Sequence, residues 1–528
     1  MSQIYAVLLD ICSIQKYIFT SNKLKENIGA SQIVQEVYYE PLQKVVRGIY
    51  PSEQIDFNSW KKNPETCLIE NNQSPFEVGY IGGGNAFLLF DSEDNAKKFI
   101  SDWTRNLIAL FPGLITAVAF GSVDLNQFSK SLGNLFRLLN QNKYTFIPQT
   151  LIPRHGITGI CSYSGYSMES WYDAPDLAES DYMSTTTKSK MNAASRANEI
   201  ISKKCKEILG DEYCFTDQLD ELAQTKGEFN YISTVHIDGN DIGKRFQEMH
   251  TLSDIRKLSM SVAEETWNSF MAMIASIKSD FSKILEDLGF EGKNGSTPYP
   301  QKDGKKILPI RPIIIGGDDI TFVCNGRYGI YFAKIYLEEF QLHKAHNDIP
   351  LSSCAGISIT KTNHPFYRSY EIAEELCQNS KATRRESELG GSWLDFQISY
   401  GALSGNIHNI RDSQYKTPMG NLLMRPYILD EKKMESSFNL LVQNSKQLKA
   451  DLPRSKIFEL REVLGSGSLL GKKFIADIKA RRRKTLPEIP NKMYQENLWE
   501  EGQTPYFDMI ELLEFYPTFV LNSSKKGG

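Results

Sequence analysis

The sequence of 528 residues lacks several features that would each assign it to a class of proteins. Its eight cysteines never form a CxxC pair, which argues against a zinc or disulfide framework and favours buried, reduced thiols. No apolar run approaches the roughly 20 residues that a membrane-spanning helix requires. The opening MSQIYAVLLDICSIQ has no basic region followed by an apolar core and a cleavage site. We therefore expect a cytoplasmic protein without a membrane-embedded part.

The chain also lacks a strong excess of charge. Its formal net charge is −4, which gives no general reason to expect binding of free nucleic acid, although local basic patches can still provide it. Hydrophobic residues make up 41% and charged residues 23%, which is typical of a globular protein. A chain of this length is expected to form roughly two to four domains.

The second half of the chain has the apolar periodicity of alternating strands and helices. After the strand YISTVHID and the turn GNDIG, helical spacing runs from Leu252 to Leu288. The later segments are the strand KILPIRPIII, the connection GGDD, the strand ITFVC, the helix YGIYFAKIYLEEFQLHKAH, the strand LSSCAGISIT, the helix SYEIAEELCQNSKATRR and the strand SWLDFQIS. This order predicts an α+β unit with helices on one face of a mostly antiparallel sheet.

The GGDD connection places two like charges between two apolar strands. Gly316 and Gly317 suit a short hairpin turn, with Asp318 and Asp319 at its tip. A solvated turn is the plain alternative, because Gly and Asp are common turn residues. Asp238, however, ends the strand predicted to lie beside this hairpin, so three carboxylates would meet at one edge. Such a cluster suits Mg²⁺ or Mn²⁺, and two such ions can activate a hydroxyl and neutralise a leaving pyrophosphate.

Lys381 lies about 60 residues after GGDD in the late helix. It could add a positive charge against a triphosphate. The alternative is a solvated helix residue.

The first part of the chain repeats the same order of elements. The strand YAVLLDI, two helices to about Tyr50, the hairpin EVGYIGGGNAFLLF, a helix through WTRNLIALF and the strand LITAVAFGSV follow one another. Here the turn is GGGN, and of the carboxylates only Asp10 remains. We therefore expect the first copy to bind a nucleotide without catalysing the reaction; the alternative is a purely structural half.

Four segments together resemble a known family. VHIDGNDIGKRF, IIIGGDDITFV, SSCAGISITKTNHPFYRSYEIAEELCQNSKATRRE and SWLDFQI resemble the second palm domain of the polymerase-like large subunit of type III CRISPR effector complexes, most closely the type III-B (Cmr) form. The opening YAVLLDICSIQKYIFTSNKLKENIGASQIV is similar to that family's first palm.

The resemblance implies an α+β fold with two ferredoxin-like, nucleotidyl cyclase-like palm domains. The expected domains are a degenerate first palm (1–155), a helical linker (156–230), a second palm with GGDD (231–405) and a C-terminal helical domain (406–528). The family usually carries a cysteine-rich zinc element near the linker. In CSYSG at 161–165, Ser164 stands at the position of the second cysteine, so we expect no structural zinc.

The resemblance also implies the residues of the site. Asp238, Asp318 and Asp319 would be catalytic and, with Ile237, would hold two Mg²⁺ or Mn²⁺ ions. Nucleotides would contact Gly316, Gly317, Lys381, Gly82, Gly83 and Gly84.

The function that the resemblance implies is synthesis of a nucleotide second messenger, cyclic oligoadenylate, from ATP when the complex recognises target RNA in antiviral defence. Guide RNA, target RNA and other effector subunits are the expected partners. Three alternatives stay open: transfer of AMP to S-adenosylmethionine by the same site, a stand-alone nucleotide cyclase, and an inactive scaffold.

Two further segments bear on these partners. The stretch KKFIADIKARRRK (472–484) is basic and could contact RNA or a neighbouring subunit, or form a solvated face. Many family members begin with an HD-type nuclease, but the seven histidines here are scattered and none precedes Asp. We therefore expect no DNA cleavage by this chain.

Overall fold

The structure is a computed structural model. It describes residues 3–145, 156–173, 181–225, 229–290, 299–401, 405–429, 435–482, 485–487 and 489–522. The boundary predicted at 155 and the end of the basic stretch at 483–484 lie outside these residues.

The first repeat forms a four-stranded sheet in the order β2-β3-β1-β4, all neighbours being antiparallel. The apolar strands β1 and β3 are its centre and are almost wholly buried. Three helices rather than the expected two follow β1 before a short fourth one. The elements are β1 Ile4–Ile11, α1 Ile14–Phe19, α2 Leu24–Glu36, α3 Glu40–Ile49, α4 Ser59–Lys62, β2 Phe76–Gly82, β3 Asn85–Phe90, α5 Glu93–Leu110, β4 Thr116–Val123, a 3₁₀ turn Leu125–Gln127 and α6 Phe128–Thr145.

A connecting region of small elements leads to the second repeat. Its longest helix, α7, begins where the Ser184 side chain accepts a hydrogen bond from the amide of Thr187. The elements are β5 Ser170–Tyr172, β6 Asp181–Met183, α7 Thr185–Lys204, α8 Lys206–Leu209, β7 Tyr213–Cys214 and α9 Leu219–Leu222.

The second repeat forms a six-stranded sheet in the order β11-β12-β8-β15-β16-β19, antiparallel except for the β15–β16 pair. The elements are β8 Tyr231–Gly239, α10 Ile242–Glu248, α11 Leu252–Ser279, α12 Phe281–Asp287, β9 Gln301–Lys302, β10 Lys305–Ile307, β11 Ile310–Gly316, β12 Asp319–Asn325, α13 Gly329–Phe340, β13 Lys344–Ala345, a 3₁₀ turn His346–Asp348, β14 Ile349–Pro350, β15 Ser353–Lys361, α14 Phe366–Ser387 and β16 Trp393–Ile398. This confirms the predicted order of the main elements and the α+β class.

Two details of the prediction were wrong. The segment predicted as one strand is divided at Leu308 and Pro309 into β10 and β11, which belong to different sheets. Helices also cover both faces of the large sheet. A Cβ added to Gly356 would lie 1.9 Å from the Ala373 carbonyl oxygen of α14, whereas its neighbour Ile357 lies against the start of α13. Because β15 and β16 run parallel, the chain must cross between them, and α14 makes this crossing on the second face.

The remaining elements are short strands and helices, one of which, β19, extends the large sheet. They are α15 Ile407–Gln414, β17 Lys416–Thr417, β18 Gly420–Asn421, β19 Tyr427–Ile428, α16 Phe438–Asp451, α17 Arg454–Leu464, α18 Ser468–Arg482, α19 Met493–Asn497, α20 Tyr506–Glu514 and α21 Thr518–Leu521. The basic stretch lies on α18, where Lys472, Lys473 and Lys479 are exposed. Among the described residues, no helix is long and apolar enough to cross a membrane.

The two repeats pack directly on each other. The ring of Phe19 in α1 stacks on that of Tyr370 in α14, with centroids 3.7 Å apart. On the other side, Arg256 of α11 is 1% exposed, donates from Nε to the Gly79 carbonyl at 2.8 Å and pairs with Glu77 at 2.8 Å. Since β2 carries Glu77 and Gly79, these contacts hold α11 of the second repeat against the hairpin β2–β3 of the first.

Candidate functional site

The β11–β12 hairpin ends in a two-residue turn. Gly316 and Asp319 form its last pair, and Gly317 and Asp318 lie between them. Gly317 has φ +61°, a conformation that costs glycine little. Its carbonyl accepts a hydrogen bond from Thr266 Oγ1 at 2.8 Å, which holds the turn against α11.

The three predicted carboxylates meet at this tip. Asp319 is the register partner of Asp238 on the neighbouring strand β8. Asp318 lies over Gly239, where an added Cβ would be 2.7 Å from Asp318 Cβ and 2.8 Å from its Oδ2. All three aspartates are half-buried. The strand pairing expected from the sequence therefore brings these side chains together.

The environment of Asp318 and Asp319 disfavours their negative charge. Burial, and next the charge of Asp238, raise the pKa of Asp318 to about 6. The same two causes raise the pKa of Asp319 well above its ordinary value, with a further contribution from Asp318. A bound cation would offset both the cost of burying these charges and the repulsion between them.

Lys381 lies in the site but does not point freely towards solvent. Its Nζ forms an ion pair with Asp238 and donates to the Gly239 carbonyl at 2.8 Å. Burial opposes its charge, yet Asp238 outweighs this effect and raises the pKa of Lys381. One ammonium against three carboxylates leaves the site net negative.

His236 is a site residue that the sequence analysis missed. Its ligand nitrogen and the oxygens of Asp238 and Asp319 all lie within 4.8 Å of one another; among the residues that the structure describes, no other such group of three metal-ligating side chains occurs. Burial lowers the pKa of His236 to about 4, so the ring is neutral at neutral pH. Its Nδ1 is 3.0 Å from Thr321 Oγ1. The sequence could have indicated this residue, because His236 and Asp238 are two apart on one strand and therefore share a face.

Ile237 is oriented away from the carboxylates. Its side chain is 0% exposed and belongs to the apolar core on the opposite face of β8 from Asp238. Any contact with an ion would therefore have to come from its main-chain carbonyl.

The first repeat has a matching arrangement with fewer charges. Asp10, 8% exposed, is the register partner of Asn85, as Asp238 is of Asp319. Lys143 Nζ lies 2.5 Å from Asp10 Oδ2 and repeats the pairing of Lys381 with Asp238. Burial raises the pKa of Asp10 although Lys143 opposes this. One carboxylate and one ammonium make this site close to neutral.

Lys143 was also missed, although its position in the repeat could have revealed it. Lys143 in α6 and Lys381 in α14 each lie 15 residues after the first residue of their helix, Phe128 and Phe366 respectively. Both helices follow the strand that pairs with the aspartate-bearing strand. An alignment of the two halves by helix start would have placed the two lysines together.

The two hairpin tips face each other. A Cβ added to Gly317 would lie 3.7 Å from both Cα and N of Gly83 in the turn of the first repeat. Gly83 itself has φ +58° and open space where a Cβ would be. Gly316 also has open space at that point, without a positive φ. A ligand can therefore approach the main chain at these two positions.

The other two predicted glycines of the first repeat have close protein neighbours. A Cβ added to Gly82 would lie 2.7 Å from Ser259 Oγ, and one added to Gly84 would lie 2.4 Å from Ile14 Cδ1. The Gly84 carbonyl accepts a hydrogen bond from Tyr38 Oη at 3.0 Å. Packing of the hairpin is sufficient to explain glycine at both positions.

Comparison with known proteins shows the fold. No protein-family model matches the chain, and no curated protein matches it. Among solved structures, a Csm1–Csm4 cassette in complex with pppApApA matches at TM-score 0.53 and 13% identity, covering 97% of this chain and 69% of that chain. A Csm1–Csm4 cassette in complex with cA3 matches at TM-score 0.50 and 14% identity, covering 98% and 69% respectively. The chain therefore shares its fold with these structures.

Proposed function

We propose that the chain is the large subunit of a type III CRISPR effector complex and makes cyclic oligoadenylate from ATP in a divalent-metal-dependent nucleotidyl transfer. The observation that carries this proposal is the close approach of two hairpin tips of the same fold. One tip carries Asp318 and Asp319 beside Asp238 of β8, and the other carries glycine and asparagine. The complexes of the similar cassettes with pppApApA and cA3 support it. Whether the complex is of the type III-B form stays a prediction.

The residues of the second repeat fit a divalent metal. Asp238 and Asp319 lie with the neutral nitrogen of His236 within one ligand sphere, and Asp318 is adjacent. Carboxylate oxygens are the typical protein ligands of Mg²⁺ and Mn²⁺, so the three aspartates carry this fit, whereas imidazole is the more usual ligand of Zn²⁺, Cu²⁺ or Fe²⁺. When bound, the ions would neutralise phosphate oxygens and lower the pKa of an attacking hydroxyl.

The chain's own residues would orient the two nucleotides. The 3′ oxygen of the acceptor would form a bond to the α-phosphorus of ATP, while the bond from that phosphorus to the bridging oxygen breaks and pyrophosphate leaves. Open main chain at Gly316 would lie near the ATP, and open main chain at Gly83 near the acceptor. Lys143, close to a single carboxylate, would give the acceptor phosphates a cation without requiring a metal ion.

The proposed partners follow from the same assignment. Guide RNA, target RNA and other effector subunits would bind elsewhere on the chain, and the exposed lysines of α18 are one candidate surface.

The direct experiment incubates the purified complex with labelled ATP and Mg²⁺, with and without target RNA and S-adenosylmethionine, and identifies products by mass spectrometry. We expect cyclic oligoadenylate that depends on target RNA.

Asp318→Asn with Asp319→Asn should reduce product by at least about a hundredfold while leaving guide-RNA binding unchanged, because only the metal-dependent step uses these charges. Undiminished synthesis by this double variant would contradict the site. An adduct of AMP with S-adenosylmethionine would instead change the assigned acceptor.

A further inference from the structure

A cavity of about 50 Å³ lies where the two repeats and the connecting region meet, away from the hairpin tips. Its walls are formed by α2 of the first repeat, α7 of the connecting region, and α11 and β11 of the second repeat. Its polar lining consists of Ser31, Gln32, Gln35, Lys204 and Arg311. No carboxylate lines it, so the lining is net positive.

Arg311 in this cavity has no ion-pair partner among the described residues: Asp217 favours its charge from beyond ion-pair distance and is itself paired with Lys302 at 3.2 Å. Its side chain is 2% exposed, and with the described residues it makes no hydrogen bond or ion pair; the buried Nε has no acceptor there. The guanidinium carbon lies 6.0 Å from the centre of the Phe215 ring. Burial lowers the pKa of Arg311 to about 10, so the group still carries its charge at neutral pH.

The other buried arginines show that this chain otherwise pairs such groups. Arg256 has the partners on β2 described above. Arg425 is 5% exposed and pairs with both Asp508 and Glu511. A guanidinium left unpaired in a buried site is costly, and the cost falls when an anion enters.

Lys204 supplies a second cation at the mouth of the cavity. It is exposed, and its Nζ lies 4.9 Å from the centre of the Trp267 ring, which also lines the cavity. On α2, Gln35 is exposed and its Nε2 donates to the Ile315 carbonyl oxygen at 3.5 Å. The mouth therefore offers a cation and an amide to a ligand whose charge reaches Arg311.

We propose that this cavity is a binding site for a phosphoryl group, held by Arg311 with Lys204 at its mouth. A planar guanidinium matches two oxygens of a phosphate. The volume suits a few water molecules or one tetrahedral oxyanion, whereas drug-sized ligands generally require about 300 Å³ or more. The group could be free inorganic phosphate or the 5′ end of an RNA.

The site is placed to affect the carboxylate hairpin. Ile315 lines the cavity and directly precedes Gly316, the first residue of the hairpin's last pair. A bound anion would contact three separate parts of the chain at once and so hold β11 against α2 and α7. Occupancy would thus stabilise the relative position of the two repeats.

The test uses the full chain without ATP and with EDTA, so that the carboxylate site does not contribute. Equilibrium dialysis with labelled inorganic phosphate should show one ion bound per wild-type chain. Arg311→Met should weaken binding at least about tenfold while the protein folds, because Met is apolar and similar in length. Arg105→Met, which removes an exposed arginine, is the matched control and should bind as the wild type does.

Binding by Arg311→Met within about twofold of wild type, or no saturable binding by wild type, would overturn the assignment. Lys204→Met provides a second variant at an exposed position, and we expect it to bind several-fold more weakly.

Competition by matched oligoribonucleotides, one with and one without a 5′ phosphate, separates the two sources. If only the 5′-phosphorylated form displaces labelled phosphate, and does so through Arg311, the natural ligand is an RNA end; if neither form does, it is the free ion. The experiment does not depend on nucleotidyl transfer, so its failure would leave the proposed function untouched.

Discussion

At the scale of the residue, the carboxylate cluster exists because strand pairing places Asp319 opposite Asp238 and the turn places Asp318 over Gly239. Like charges at this distance repel, and burial adds to the cost of ionising them. In the absence of a cation, this site therefore lowers the stability of the folded chain. Lys381 compensates only part of the charge.

This cost predicts a pH dependence. Because the pKa of Asp318 is raised to about 6, the folded chain binds this proton more tightly than the unfolded chain, whose Asp pKa is about 3.9. Stability that is present at low pH is then lost as the pH rises from about 4 to about 6. In EDTA, the wild type should lose roughly 1 to 3 kcal/mol over this range relative to Asp318→Asn with Asp319→Asn.

Urea unfolding at several pH values measures this difference. Asp211→Asn, which alters a 95% exposed carboxylate, serves as the control and should follow the wild type. Saturating Mg²⁺ should restore the wild type above pH 6. If the wild type and the double variant show parallel stability curves, the three carboxylates are not coupled as described.

At the scale of the element, the sequence was sufficient to predict the order of the strands around GGDD. The alternation of apolar and polar residues and the turn residues there agree with the strand pairing in the structure. It was not sufficient for the second face of the large sheet, since the parallel partner of β15 could not be distinguished from an antiparallel one. It also missed contacts between segments far apart in sequence, such as Lys143 with Asp10 and the cavity around Arg311. These depend on how helices pack, which local patterns do not determine.

The hairpin of the first repeat provides a prediction at this scale. Gly83 has positive φ and open space beside it, facing Gly317. Gly83→Asn should fold, because Asn tolerates this backbone conformation, but its side chain would fill space where the acceptor is proposed to bind. We expect product formation to fall about tenfold or more at fixed ATP.

Gly304→Asn is the matched control. Gly304 has φ +76° and open space as well, but it lies in the turn between β9 and β10. Both variants should lose about 1 kcal/mol of stability or less, and only the change at Gly83 should reduce activity. Equal activity in the two variants would place the acceptor elsewhere.

At the scale of the whole molecule, the two repeats act as one unit only if they keep their relative position. Arg256 is the main polar link, since it joins α11 to β2 through Glu77 and the Gly79 carbonyl. Arg256→Met would leave Glu77 buried without its partner and should cost about 3 to 5 kcal/mol of unfolding free energy. Lys257→Met, next in the chain, breaks a pair with the solvent-exposed Glu65 and should leave the unfolding free energy nearly unchanged. Denaturant unfolding checks both, and equal losses would mean that this link is not important.

The two repeats have different roles in the proposed reaction, with the metal-dependent step confined to the second. The most direct measurement is product formation as a function of Mg²⁺ concentration for the wild-type complex, Asp10→Asn and Asp238→Asn. We predict that Asp238→Asn removes metal-dependent activity outright, because its carboxylate is shared by the proposed metal site. Asp10→Asn should alter the ATP concentration needed, or the product, while its Mg²⁺ midpoint stays within about twofold of wild type. If Asp10→Asn shifts the Mg²⁺ requirement as strongly as Asp238→Asn, the first repeat is a metal site in its own right and the proposed division of roles is wrong.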